Sequence, residues 1–143
     1  MASWLADPYF ALTAPKSTGR DYFNLAWVDA AVKPGMAPVD VQATLLALTV
    51  SSIAQAVTQV CPLAERVLVC GGGAHNGYLM AQLTQALPQT KVMTTAALGV
   101  DPDWVEALAF AWLAQQTWHK RSGNLPAVTG ARGMRVLGAI YPA

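Results

Sequence analysis

The chain has 143 residues and a formal net charge of +1, enough for one domain with a core. Its scattered basic residues give no patch for nucleic acid. Hydrophobic residues make up 54 % and charged residues 12 %, where an ordinary soluble domain carries about 25 % charged. Such a chain either buries much of its surface against a partner or is part of something larger.

Met1 is followed by Ala2, Ser3 and Trp4 with no basic residue, so no signal peptide is expected. Met1–Phe10 is apolar and expected to be helical as far as Pro8. Residues 11–24, rich in turn formers, are expected to be a loop. Leu25–Val32 is ambiguous, and Lys33–Pro38 breaks the chain again. Asp40–Val60 reads as a long helix: Val41, Leu45, Leu48, Ile53, Val57 and Val60 recur at helical steps, and Pro62 follows. The uncharged run Val41–Ala64 is interrupted by Gln42, Thr44, Thr49, Ser51, Ser52, Gln55 and Thr58. It is therefore expected to be a buried helix rather than a membrane span.

Arg66–Cys70 has the composition of a short buried parallel strand. Asn76–Leu87 is the next helix, and Lys91–Thr95 the second strand. Gly99 breaks the chain before Asp101, Pro102 and Asp103, a helix start with Asp101 as N-cap. That helix is expected to run to about Lys120. Residues 122–133 are expected to be a loop, and Val136–Ile140 a short apolar element. Helices alternating with short apolar strands predict an α/β fold with a mostly parallel sheet. Two strands make a poor sheet, so the layer looks incomplete. Cys61 and Cys70 form no CxxC pair and are expected to be reduced, buried thiols. His75 and His119 have no second ligand at metal spacing, so no metal site is expected.

Gly71, Gly72 and Gly73 stand where a strand hands over to a helix. Free backbone N–H groups and a helix dipole favour an anion or nucleotide there. Asn76 stands where the dinucleotide fingerprint has its third glycine, and no acidic residue follows at the ribose-binding distance. No Gly-Lys-Ser/Thr follows either, so the turn is not a Walker A loop. A tight turn for close helix packing and a nucleotide contact both stay open. Asn76 suits a helix cap, a ribose or a base. Glu106 is the only polar side chain between Trp104 and Ala114. On a helix apolar all round, and so expected to be buried, it is either paired with a cation or used on a substrate. Lys16–Arg20, KSTGR, is either a phosphate-holding loop or a solvated turn.

VLVCGGGAHNGYLM, LGVDPDWVEALAFAWLA, GNLPAVTGA and VLGAIYP together resemble the C-terminal half of the anhydro-N-acetylmuramic acid kinases. PKSTGRDYFN is similar to the stretch just upstream. The resemblance implies part of a ribonuclease H-like lobe of the sugar kinase, Hsp70 and actin superfamily, with residues 1–143 as a single C-terminal lobe or fragment. It implies a bacterial, cytoplasmic, ATP- and Mg²⁺-dependent enzyme of peptidoglycan recycling, typically a homodimer. Such an enzyme opens the 1,6-anhydro ring of anhydro-N-acetylmuramic acid with water and phosphorylates O6.

By that resemblance Gly71, Gly72, Gly73 and Asn76 face the nucleotide, and Glu106 contacts the sugar. The family's phosphate motif and the aspartate that activates water have no match in this chain. No catalytic residue is therefore expected here, the missing N-terminal half is the expected partner, and this chain alone is expected to be inactive. A non-catalytic nucleotide- or partner-binding module is the alternative. A dinucleotide oxidoreductase fragment is disfavoured by Asn76.

Overall fold

The structure is a computed structural model that describes residues 1–141. Pro142, the end of the VLGAIYP stretch, lies outside the described residues. The chain opens with α1 (Ala2–Leu5), α2 (Pro8–Ala11) and α3 (Leu25–Asp29). Pro8 begins a helix instead of ending one: it holds an opening position, and the Asp7 carboxylate accepts the Tyr9 N–H. This N-terminal part is held by stacked Trp4 and Trp27 and by a cluster of Tyr9, Phe10, Tyr22 and Phe23.

α4 (Pro38–Val60) is 23 residues long and starts on Pro38. Thr44, Thr49 and Thr58 turn their hydroxyls back to carbonyls one turn earlier, which satisfies them on an apolar helix. Then come β1 (Arg66–Val69), α5 (Gly77–Ala86) and β2 (Lys91–Thr94). β1 and β2 pair in parallel, with Arg66 opposite Lys91 and Val69 opposite Thr94. α5 packs on β2, α4 packs on α5, and α1 reaches α4. The core where they meet consists of Trp4, Leu48, Val50, Leu83 and Leu87.

α6 (Val105–Trp118) follows a 3-10 turn over Pro102–Trp104. The segment 122–133 is not all loop: Pro126–Thr129 forms the one-turn α7, closed by Gly130 in the left-handed conformation. Residues 136–140 form no regular element. They lie along α6, where the Thr117 hydroxyl bonds the Leu137 carbonyl and a groove of about 490 Å³ runs between the two segments.

The expected element order is observed, but the expected burial is not. Only Leu48 and Val50 of α4 are buried. α6 buries no residue at all, and Phe110, Trp112 and Trp118 are exposed. β1 alternates between exposed and half-covered positions, β2 is half-covered after an exposed Lys91, and neither strand has a buried residue. Cys61 and Cys70 are free and exposed, not buried. One cause covers all four. The accessible surface is 10393 Å², whereas a compact monomer of 15.1 kDa exposes about 7,100 Å². These elements carry apolar faces whose partners are not among the described residues.

Candidate functional site

β1 and β2 end side by side, and the crevice beyond the carboxyl ends of parallel strands is where open α/β sheets place ligands. Cys70 leads from β1 into Gly71. At φ 71° and ψ −173°, Gly71 occupies a region that only glycine tolerates. A 3-10 turn over Gly72–His75 follows, and Asn76 caps α5.

The three glycines are not equivalent. A Cβ on Gly71 or Gly72 would meet nothing within 4 Å, and one on Gly73 would make ordinary contact with Leu79 at 3.5 Å. Close helix packing therefore does not explain Gly72. Its backbone faces open space where a ligand has room to approach. The Asn76 side-chain oxygen accepts the Leu79 N–H at 3.0 Å, so the capping role is realised. Its amide nitrogen makes no hydrogen bond among the described residues and can donate to a ligand.

The glycine turn is tied to the start of α6. The Gly71 N–H donates to the Pro102 carbonyl at 2.9 Å. Asp101 caps the Pro102–Trp104 turn through the Asp103 N–H at 2.9 Å, as the sequence predicts. His75 Nε2 donates to Asp103 Oδ1 at 2.8 Å. Asp103 thereby holds the imidazolium pKa above its ordinary value, through the hydrogen bond first and its charge second. This pair was missed by sequence reasoning, since its members are 28 positions apart and no local spacing signals it. With Gly71 bonded to Pro102, the turn also lies beside the helix that carries Glu106 in its first turn.

Glu106 is exposed, against the expectation of burial. Among the described residues the only ion pair is His75–Asp103, so the cation-paired reading of Glu106 has no partner here. No three His, Cys, Asp or Glu side chains among the described residues group to hold a metal. The Lys16–Arg20 loop belongs to the N-terminal aromatic cluster. The Lys16 ammonium donates to the Tyr9 carbonyl at 3.3 Å and lies 4.8 Å over the Tyr9 ring. Arg20 lines a cleft of about 970 Å³ with Phe23, Trp27 and Leu45.

Comparison with known proteins adds the family. The family model described as anhydro-N-acetylmuramic acid kinase matches residues 1–143. A protein of that name from Thiobacillus denitrificans is 57 % identical over 142 residues, 97 % of this chain and 38 % of the relative. One from Pseudomonas putida is 54 % identical over all of this chain and 40 % of the relative. One from Nitrosomonas europaea is 54 % identical over 95 % of this chain and 38 % of the relative. The chain thus spans about two-fifths of the length of these curated relatives.

Proposed function

The chain belongs to the anhydro-N-acetylmuramic acid kinase family, and from that premise we propose that it supplies the nucleotide side and one sugar contact of such a kinase. The assembled enzyme would work in the bacterial cytoplasm in peptidoglycan recycling. It would open the 1,6-anhydro ring with water and phosphorylate the sugar to N-acetylmuramic acid 6-phosphate, with two ribonuclease H-like lobes in each protomer closing on ATP and two protomers forming a homodimer.

The observation that carries this reading is Gly72, whose Cβ position is open at the carboxyl end of β1. Gly71 and Gly72 would admit the adenosine part of ATP against bare backbone. Gly73 would shape the turn, and the free Asn76 amide would donate to the ribose or base. Glu106 would bind the sugar near its reacting end. ATP supplies the phosphoryl group when bound. The Mg²⁺ that accompanies it would be held by the phosphates and by residues outside this chain, because the described residues offer no metal cluster. The base that activates water would likewise belong to the remainder of the kinase. Positioning and charge stabilisation dominate phosphoryl transfer, so this chain alone would not turn over.

Coupled ADP release tests this. Turnover should be absent with the chain alone and should appear, dependent on both ATP and anhydro-sugar, when the chain is joined to the remainder of a family kinase. Turnover by the chain alone would overturn the division of labour. Nucleotide binding without phosphoryl transfer in the joined protein would favour the non-catalytic module.

A further inference from the structure

The glycine turn and the start of α6 are each short, and two bonds join them: Gly71 N–H to Pro102 and His75 to Asp103. The first joins two backbone groups that do not titrate. The second changes strength when the imidazole gains or loses its proton. From this arrangement we infer that His75 and Asp103 form a positioning clamp, tight when the imidazole is protonated, that sets the glycine turn against the helix bearing Glu106. The proposal rests on the nucleotide reading only for its effect on binding; the clamp itself is a property of this chain.

The charges around His75 all point one way. Asp103 bonds it, and Asp101 from the same turn adds a second negative charge. α5, the other element packed on the glycine turn, has no charged side chain between Gly77 and Ala86. Nothing opposes the protonated state except partial desolvation. The His75 and Asp103 side chains remain 62 % and 57 % exposed, so the clamp opens to solvent without unfolding the apolar core on α1, α4 and α5 and at Leu87, while Pro102 beneath it stays buried. Deprotonation of His75 removes the charge from its bond to Asp103, weakens that bond and loosens the turn relative to Glu106.

Nuclear magnetic resonance on the whole chain tests the clamp. His75 should titrate above its ordinary value in the wild type and return to it in Asp103→Asn, with His75→Gln assigning its signal apart from His119. The protection factor of the Gly71 amide, corrected for intrinsic exchange, should fall about two- to five-fold between pH 6 and pH 8.5 in the wild type, the scale of an exposed ion pair. It should be low and flat in both variants. A flat wild-type profile, or the same fall in Asp103→Asn, overturns the clamp. ADP, added at both pH values, should bind more weakly at pH 8.5 in the wild type only, and equal ADP affinity at the two values would also overturn it. An absence of ADP-induced shifts in Gly71–Asn76 at both values would overturn the nucleotide reading alone, and the exchange data would still decide the clamp.

Discussion

Gly71 and Gly72 differ in what a methyl group would do to them. At Gly71 the backbone sits at positive φ with ψ near 180°, so Gly71→Ala should cost about 1–3 kcal/mol and lower the melting temperature. At Gly72 no contact and no positive φ opposes a side chain. Gly72→Ala should leave stability within about 0.5 kcal/mol while weakening ADP binding, because the new methyl fills the approach. Denaturation and ADP titration on both variants check the pair; equal effects would remove the distinction. The sequence shows three glycines in a row and cannot rank them, since their difference lies in backbone angles.

Asp7 yields a second residue-scale expectation. Its carboxylate accepts from the Trp27 indole N–H at 2.8 Å, from the Tyr9 N–H and from the Tyr22 hydroxyl. These bonds, Trp27 first, hold its pKa below the ordinary value. A depressed folded pKa contributes stability above the unfolded value of about 3.9, and that contribution is lost as pH falls through the folded value. Tryptophan fluorescence should therefore report loosening of the N-terminal segment below about pH 4, and Asp7→Asn should loosen it already at neutral pH. An acid profile unchanged by Asp7→Asn would show that other carboxylates govern it.

Among the elements, α4, β1, α5, β2 and α6 were legible in the sequence to within a few residues, because apolar periodicity and prolines mark them. Asp7-Pro8 was misread as an end, though it carries the same start signal as Asp101-Pro102. Burial was the larger error. α6 is apolar on every face, a pattern that predicts what covers a helix only if the cover is in the same chain. Its exposure changes the expectation for Glu106→Gln. With no cation paired to Glu106 among the described residues, the change should leave the melting temperature of the assembled kinase nearly unchanged. It should lower kcat/KM by one or more orders of magnitude, about 1–3 kcal/mol of lost substrate interaction. A lower melting temperature with unchanged turnover per folded molecule would take Glu106 out of the site.

At the scale of the whole molecule, uncovered surface is the dominant fact. Leu108, Phe110, Trp112 and Trp118 on α6 are exposed, and both strands of the sheet have an unpaired edge. The isolated chain should therefore self-associate at micromolar concentration, visible in light scattering, and joining it to the remainder of the kinase should yield a defined species. A compact monomer would contradict this. The parallel pair has a further consequence, for unfolding. β1, α5 and β2 form a local unit in which Lys91 reaches back only as far as Glu65 and Arg66, and it contains Leu83, the most buried side chain. α6 and the segment after it share little core with that unit. Heat should thus melt the chain in two stages, α6 and its appendage first and the strand-helix-strand unit last, giving a calorimetric enthalpy that exceeds the van't Hoff value.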